Sequence, residues 1–564
     1  MKRRDFLKTS FSTLALPLLS TLESCQSDGS LPFSGRVVGE DFHIGHLFRD
    51  GKLKIPQGLI EASYDRPVDA SCIIIGGGCS GVAAGWRLHR SGVKDFILLE
   101  KGSQLGGNAQ SSKGNQTEYS WGAHYIETPG PEARYLYPLY EDLGIILGYQ
   151  EDGWPVINDA FTVRDTEVML HTGKKWIPYR YPLSLANKEE QDVFQRFRRK
   201  MYEWYHRKGQ DGKTAFTLPI QACSQDPSIR KLDQITMKTY LRSEGLKSSY
   251  LDWYVDMQCR DNYGTGFHEI SAWVAVNYFA TNFSDFDVKE SEKHPVDIIT
   301  WPEGNQYLVK GMSKNFSQEN VRTSAFVVDV RNRDNHVLVT YYETKEKKFH
   351  TLKGKTAVFA LPKFLLTRVC SESKNRSKLL SSFEYAPWLV ANVHVKHPPG
   401  DKELSWDTIQ YQPMNTKANG SLGYILSNYQ DRRLRNKPSE PTVLTFYAPL
   451  LQSDIKKERL NLLKNGWDYW ANQVLKDLSI MHPNITELIE RLDIYKWGHA
   501  MIRPTPGFVW GKEREKMKEP IGRIFMAHCD VGGLPIFEQA AYSGFESAES
   551  ILSLLDIHHK KLIR

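Results

Sequence analysis

Several signatures that define protein classes are missing from this 564-residue sequence. None of its seven cysteines is arranged as Cys-x-x-Cys, so a zinc ribbon, a thioredoxin-like dithiol and a c-type haem attachment are unsupported; we expect mostly free thiols and no metal site. No unit of about 20–50 residues repeats, which excludes a solenoid. A basic stripe interleaved with aromatic residues is also missing, and the formal net charge of +7 is modest for this length, so we expect no nucleic-acid partner.

Long apolar runs are absent beyond the first residues, so no membrane-spanning segment is predicted after the leader. Arg3-Arg4 is followed by Phe6-Leu7-Lys8 and then by a short apolar stretch, the layout of a twin-arginine export signal, a route taken by folded proteins. This pattern predicts a signal peptide over residues 1–25, passage through the twin-arginine export machinery and a periplasmic location. Cys25 follows a small residue as in a lipobox, so it is either a lipid-anchor site or an ordinary cysteine of a cleaved leader.

The strongest chemical signal is a glycine-rich turn that follows an apolar run. Residues 72–75 are typical of a buried strand, and Gly76, Gly78 and Gly81 come next with the spacing G-x-G-x-x-G. Such glycines allow a tight turn, the approach of a pyrophosphate to the backbone and close packing of the next helix, whose N-terminus attracts phosphate. Glu100 ends the following strand, 24 residues after Gly76, near the distance expected for a carboxylate that binds a ribose. The segment therefore predicts a dinucleotide-binding unit.

Two further segments resemble the FAD-dependent amine oxidase and phytoene desaturase superfamily. Gly106-Gly107 follows Glu100 as the Gly-Gly-Arg segment of that superfamily does, and residues 523–552 resemble its closing FAD motif, in which a strand ends at an acid. The resemblance implies FAD as the cofactor, with Asp530 hydrogen-bonded to the ribityl or pyrophosphate portion. A second dinucleotide motif is missing, so we expect no separate NADH-binding domain.

The resemblance extends in dispersed pieces over residues 68–556 and implies an α/β fold of mixed α+β character. A Rossmann-like FAD-binding domain of the amine oxidase type is predicted from residues 66–130, 303–385 and 494–556, and an interleaved substrate domain from residues 131–302 and 386–493. Residues 26–65 have no clear periodicity and are predicted to form a tether. Residues 557–564 are predicted to be a basic tail.

By the same resemblance, residues from several parts of the chain surround the flavin. His124, Tyr125, Trp301 and His499 are the candidates for the catalytic face, where a histidine can accept a proton or anchor a substrate. The predicted cofactor-binding residues are Gly76, Gly78, Cys79, Ser80, Gly81, Glu100, Lys101, Gly106, Gly107, Asn108, Gly122, Ala123, His124, Val327, Asp530 and Phe537.

The function implied by this resemblance is that of an exported FAD-dependent oxidoreductase, which moves a hydride from a small amine substrate to flavin N5. The segment from Arg260 to Asn282 is similar to exported bacterial flavoproteins that include spermidine dehydrogenase-like proteins, which favours a polyamine-like amine. The electrons then pass to oxygen or to a periplasmic cytochrome or quinone. Two alternatives are a desaturase or dehydrogenase of an apolar C–C or C–OH substrate, and a flavin-binding envelope protein without turnover.

Some positions depart from the superfamily pattern. Asn108 replaces the arginine after Gly-Gly, and no lysine stands near Val390–Asn392, where many members place one. Ala500 and Ile536 occupy the positions of the two rings that flank the substrate in monoamine oxidases, so that cage is predicted to be absent. These departures concern the substrate more than the fold or the cofactor. A covalent link between His499 and the flavin is a further alternative.

Overall fold

The computed structural model describes residues 31–39, 42–163, 167–178, 180–282, 297–400, 404–413, 420–431, 433–434, 437 and 439–563. The predicted export signal and Cys25 lie outside these residues. Among the described residues, no helix combines the length and apolar character needed to cross a membrane. All six described cysteines are free thiols, as predicted.

The glycine-rich turn belongs to a sheet that we call the first sheet. Within the described residues its strand order is Val321–Arg322, Phe96–Leu99, Ala70–Ile75, Lys348–Phe359, Val337–Glu343 and Ala325–Asn332, and Ile524–Met526 pairs with Lys348–Phe359. The central strand Ala70–Ile75 runs parallel to both of its neighbours. All of its residues are buried, which explains the apolar run in the sequence.

A second sheet lies in the part of the chain where the substrate domain was predicted. Its described strands follow the order Val37–Val38, Ile489–Ile502, Tyr385–Val395, Thr442–Pro449, Gly423–Leu426, Asp407–Gln410, Val168–His171 and Trp176–Ile177. Three short pairs complete the described strands: Tyr125–Glu127 with Ile298–Thr300, Ser111–Lys113 with Glu118–Ser120, and Ile146–Tyr149 with Pro155–Ile157.

Helices cover the faces of both sheets. The described α-helices are Phe42–Arg49, Cys79–Arg90, Tyr137–Asp142, Lys188–His206, Pro227–Arg230, Met237–Ser243, Ser249–Tyr263, Ala272–Thr281, Gln306–Ser313, Leu366–Val369, Ile455–Lys464, Trp467–Met481, Ile485–Leu488, Lys512–Lys518, Cys529–Gly532 and Phe537–Leu554. The last long helix packs along the helix that follows the glycine turn, where Trp86 meets Phe545 with ring centroids 5.2 Å apart. A buried ion pair joins Arg87 to Glu549 at 2.9 Å in the same contact.

The predicted boundaries differ from the sheets at two places. The strand Ile489–Ile502 crosses the predicted boundary at residue 494 and lies wholly in the second sheet, because it pairs with Tyr385–Val395 along most of its length. The predicted tether over residues 26–65 is not a free linker where it is described. Val37–Val38 is a strand of the second sheet, and Phe33 is buried against Trp467. Backbone pairing and burial of one large ring fix this segment, although its sequence has no periodicity.

Candidate functional site

The carboxyl ends of the parallel strands in the first sheet border a cavity of about 480 Å³, which we call the first cavity. Ligands of open α/β sheets bind at this edge. Three of the predicted cofactor-binding residues line it, namely Glu100, Lys101 and Val327. Gly76 lines the same cavity, so the glycine turn and these predicted residues face one space.

The glycine turn leaves room for a phosphate. The Gly106 amide donates to the Gly77 carbonyl at 2.8 Å, so Gly106-Gly107 packs against the turn. A Cβ built on Gly78 would meet only the Cα of Gly107 within 4 Å, at 3.9 Å. In contrast, a Cβ on Gly81 would lie 1.9 Å from the Gly76 carbonyl oxygen. An open approach at the second glycine and tight helix packing at the third are what a dinucleotide requires, so these residues fit the predicted cofactor.

The carboxylate of Glu100 holds the turn in shape. Its two oxygens accept hydrogen bonds from the amides of Gly77 and Gly102, at 2.9 and 2.6 Å. Glu100 also lines the first cavity, which keeps it next to the position predicted for the ribose. Glu100 therefore has two roles: it stabilises the glycine turn, and it borders the space for the ligand.

The two residues at the start of the helix after the turn differ in environment. The Ser80 hydroxyl is buried and donates to the Ala540 carbonyl at 2.9 Å, so it contacts the last long helix and not a ligand. Desolvation of the Cys79 thiol by the surrounding protein raises its pKa to about 12, which keeps the sulfur protonated. Ser543 of the same long helix accepts a hydrogen bond from the His528 amide at 3.0 Å, so the glycine turn and the C-terminal motif converge on one helix.

Asp530 has a different role from the one predicted for it. Its side chain is fully buried, and one oxygen accepts from the Lys363 amide at 2.8 Å and from the Tyr385 hydroxyl at 2.5 Å. The other oxygen lies 2.8 Å from Nδ1 of His528. Burial opposes ionisation, but the neighbouring His528 holds the pKa of Asp530 below its usual range. Because both oxygens contact protein groups, Asp530 braces the C-terminal motif and does not present a free carboxylate to a cofactor.

A buried lysine completes this brace. Nζ of Lys363 donates to the carbonyls of Phe359, Leu361 and Ala527, at 3.1, 2.8 and 3.0 Å. These carbonyls lie at or just beyond the ends of neighbouring parallel strands of the first sheet. Burial lowers the pKa of Lys363 to about 7. The side chain joins the strand ends at the edge where the first cavity opens.

The second cavity, of about 200 Å³, lies at the junction with the other sheet. The predicted residues Asn108, Gly122, Ala123, His124, Tyr125 and Phe537 all line it. Ala500 and Ile536 line it as well, at the two positions where the aromatic cage was expected to be missing. Other parts of the chain supply rings to the same wall, namely Tyr263, Tyr278, Trp388, Tyr447 and Trp497. The cavity is therefore aromatic even though these two positions are not.

Three carboxylates line this second cavity: Glu127, Asp261 and Glu538. Burial raises the pKa of Asp261 to about 6 and that of Glu538 to about 7. Carboxylates are costly to bury among aromatic rings, and the nearby Arg180 and Arg260 offset part of this cost for Asp261. Both carboxylates and aromatic faces attract ammonium groups. The lining therefore favours a cationic ligand over an apolar one.

His124 presents a neutral imidazole to the cavity. Its Nδ1 lies 2.9 Å from the Gly122 carbonyl oxygen, which can only accept, so Nδ1 carries the proton and Nε2 has a free lone pair. Burial lowers the pKa of His124 to about 4, which keeps the ring uncharged near neutral pH. The neighbouring Tyr125 hydroxyl donates to Oδ1 of Asn262 at 2.8 Å, which fixes that ring in the wall.

The structure separates the other two predicted catalytic residues from this cavity. Trp301 is buried with its ring stacked on Tyr307, with centroids 4.5 Å apart, and does not line either cavity. His499 lines the first cavity, where its ring stacks on Phe364 with centroids 4.5 Å apart. Successive residues of a strand point to opposite faces, which is why His499 and Ala500 border different cavities. Of the four candidates, only His124 and Tyr125 lie together.

Comparisons with known proteins agree with this architecture. The family described as an NAD(P)-binding Rossmann-like domain matches residues 74–143. The mitochondrial dimethylglycine dehydrogenase of Homo sapiens is 28% identical over 162 residues, which cover 28% of this chain and 17% of that protein. The flavin-containing amine oxidase B of Sus scrofa is 30% identical over 113 residues, covering 20% of this chain and 18% of the relative. In both cases the match spans less than a fifth of the relative's length.

Solved structures match over a much larger part of the chain. An engineered putrescine oxidase superposes with a TM-score of 0.62 at 15% sequence identity, and the match covers 86% of this chain and 99% of the other. The predicted α/β fold of mixed α+β character with a Rossmann-like domain is confirmed, and it matches the fold of the putrescine oxidase structure. FAD, the predicted cofactor, agrees with this fold and with the flavin-containing relative.

Sequence reasoning missed several residues that shape the site. Asp261 and Glu538 were not predicted, although Asp261 lies in the segment that resembled spermidine dehydrogenase-like proteins. Lys363 was also missed; its position just after the strand–proline turn was a usable signal. The helix Phe42–Arg49, which lines the first cavity, gave no signal at all.

Proposed function

We propose that this protein is an FAD-dependent oxidoreductase that oxidises an amine carrying a second positive charge, as a diamine or polyamine does. The observation that carries this proposal is the lining of the second cavity, where Glu127, Asp261 and Glu538 stand among aromatic rings next to His124. One ammonium group is held by the carboxylates while the amine to be oxidised lies nearer the predicted flavin face. An apolar substrate would desolvate the three carboxylates without bringing a positive charge to them, which argues against a desaturase.

The chain contributes binding and orientation. When bound, FAD accepts a hydride equivalent at N5 from the carbon next to the amine nitrogen. The reacting amine must be neutral, and His124 offers an uncharged Nε2 that accepts a hydrogen bond from its N–H without adding a positive charge. Tyr447 lines the cavity and donates to Oδ1 of Asp407 at 3.3 Å, so its ring is held in place by a buried partner. These contacts fix the substrate carbon while the surrounding rings exclude water.

Export through the twin-arginine route is part of the same proposal. The support is the sequence Arg3-Arg4-Asp5-Phe6-Leu7-Lys8 and the argument that a non-covalently held dinucleotide must be inserted before export. Replacing both arginines with lysine (R3K/R4K) should retain the protein in the cytoplasm, measured by cell fractionation. Equal periplasmic amounts of the variant and the wild type contradict the export route, and recovery of the protein in a Triton-soluble membrane fraction that depends on Cys25 favours lipidation.

A substrate screen tests the proposed chemistry. Purified protein is expected to be yellow, and its flavin absorption near 450 nm to bleach anaerobically with one member of a panel of diamines and polyamines. Monoamines of equal carbon length serve as controls, because they lack the second charge. A flavin-loaded protein that stays oxidised with every amine contradicts the assignment. Reoxidation by air, compared with reoxidation by a soluble cytochrome or quinone analogue, identifies the electron acceptor.

A further inference from the structure

An N-terminal segment that precedes the glycine turn crosses from one sheet to the other. We call the described residues 31–39 and 42–50 the strap. Its first part is anchored on the second sheet, where the strand Val37–Val38 runs parallel to Ile494–Tyr495. The amide of Leu492 donates to the Ser34 carbonyl at 3.0 Å, and the buried Phe33 ring packs on Trp467. The strap is therefore fixed to the same long strand that carries His499 to the first cavity.

The second part of the strap is the helix Phe42–Arg49, and it forms a wall of the first cavity. Phe42, Gly45, His46, Phe48 and Arg49 line the cavity, opposite Gly76 and Glu100. The Phe48 ring meets Phe326 edge-on, with centroids 5.8 Å apart, and Phe326 is followed by the predicted cofactor-binding residue Val327, which lines the same cavity. The helix residues His43, Ile44 and Leu47 are not among those that line the cavity, so one face of the helix is turned toward it.

The chain is fastened again after the helix. Nζ of Lys353, on a strand of the first sheet, donates to the carbonyls of Tyr64 and Arg66, at 2.6 and 2.9 Å. Arg333 lies over the Tyr64 ring, 5.4 Å from its centroid. The strap helix is thus held between an anchor on the second sheet and an anchor on the first sheet, and it forms one wall of the first cavity.

We propose that the strap is a part of the cofactor site, which closes over the adenosine half of FAD and slows its release. This inference rests on the proposed function for the identity of the cofactor. The Rossmann-like turn holds the phosphates from one side, and Phe48 with its helix neighbours covers the other side of the same cavity. Because the strap is tied to both sheets, the cofactor leaves only when the helix moves away, and release is slower than the contacts of the turn alone would make it.

Variants of the helix test this role in the full-length, FAD-loaded protein. Phe48→Ala removes the ring that lines the cavity, and we expect FAD release to become about 10- to 100-fold faster, the range that loss of one buried aromatic contact produces. His46→Ala should also speed release, by a smaller factor. His43→Ala is the matched control, because His43 lies on the same helix, is exposed and does not line the cavity. Release is followed by the rise of flavin fluorescence after dilution into buffer that contains an apoflavodoxin trap.

Limited proteolysis gives a second measurement that needs no variant. Trypsin sites lie at the end of the strap, at Arg49, and just beyond it, at Lys52 and Lys54. We expect cleavage at these sites to be at least about fivefold slower with FAD than without it, because ligand binding stabilises the closed state. Lys174 is exposed in another part of the chain, and cleavage there serves as the reference. Equal release from wild type, Phe48→Ala and His43→Ala, or strap cleavage unaffected by FAD, overturns the inference. If the wild-type protein takes up no FAD at all, the proposed function fails instead, so the two failures are distinguishable.

Discussion

A single methyl group at Gly78 tests whether the cofactor lies against the glycine turn. Gly78 has φ −75° and ψ −179°, an extended conformation that alanine adopts without strain. The new Cβ would stand at ordinary contact distance, 3.9 Å, from the Cα of Gly107. We therefore expect Gly78→Ala to fold, with a free energy of unfolding lowered by about 1 kcal/mol, because alanine is a poorer helix N-cap than glycine.

FAD binding should respond very differently. The added methyl projects into the space through which the pyrophosphate approaches the backbone, and overpacking of this kind costs about 1–3 kcal/mol, or about 5- to 150-fold in Kd. The measurement is a titration of the apoprotein with FAD, followed by quenching of flavin fluorescence, beside a thermal melt without FAD. Gly81→Ala is the contrasting variant. Its Cβ would lie 1.9 Å from the Gly76 carbonyl oxygen, so we expect it not to fold. A folded Gly78→Ala protein that binds FAD with the wild-type Kd refutes the assigned position.

Four further predictions concern the second cavity and the brace. Asp261→Asn should raise KM for a diamine about 10- to 100-fold, because a buried carboxylate partner of the ammonium is lost, and should change KM for a monoamine much less. The pKa of Asp261 is about 6 and that of Glu538 about 7, so both ionise as pH rises, and KM for the diamine should fall between pH 5.5 and 8. Lys363→Met should lower the free energy of unfolding by about 1–3 kcal/mol in a denaturant titration, since three carbonyls lose their donor. Trp301→Phe should keep kcat near the wild-type value, because Trp301 packs on Tyr307 and lines neither cavity.

Each of these predictions has a control and a contrary outcome. Glu538→Gln should flatten the upper part of the pH profile while Asp261→Asn flattens the lower part; a profile unchanged in both variants means that neither carboxylate binds the substrate. Lys174→Met, at an exposed position, should leave stability unchanged. If it destabilises the protein as much as Lys363→Met, the buried hydrogen bonds are not the cause. A large loss of kcat in Trp301→Phe would mean that Trp301 does belong to the catalytic face, as the sequence predicted.

The parts of the site that could be predicted are those whose residues lie close together in the sequence. The spacing of Gly76, Gly78 and Gly81 and the acid at Glu100 define one local unit, and the structure brings these residues together at one turn, while their contacts with a phosphate and a ribose stay predictions. His124 and Tyr125 were predicted from a segment that resembles a known flavin-contacting stretch, and they line one cavity together. Such a motif can be recognised in a sequence because the local backbone conformation alone brings its residues together.

The parts that could not be predicted depend on contacts between distant segments. The strap pairs with a strand more than 450 residues away in the sequence, at Ile494–Tyr495. The residues of the strap itself show no periodicity that would predict its helix or the contact of that helix with a cavity. Asp530 has the position of a cofactor ligand in the sequence motif, but Lys363 and Tyr385 surround its carboxylate in space. Trp301 was predicted from the resemblance, yet its ring is buried in the core. Side-chain direction and burial decide these cases, and neither is encoded by a motif.

Asn108 shows how a departure from a motif can be read through its contacts. An arginine at this position would offer a positive charge to a bound pyrophosphate, and Asn108 offers none. In the structure the Asn108 amide group donates to the Ala500 carbonyl, and the Asn108 carbonyl accepts from the Ala123 amide at 2.9 Å. The side chain therefore joins the Gly-Gly turn to the strand between the two cavities, and its backbone joins that turn to the segment that carries His124. Asparagine has the short donor this tie needs, whereas an arginine would have to point elsewhere. At this position a charged residue is replaced by one that connects the Gly-Gly turn, the strand Ile489–Ile502 and the segment of His124.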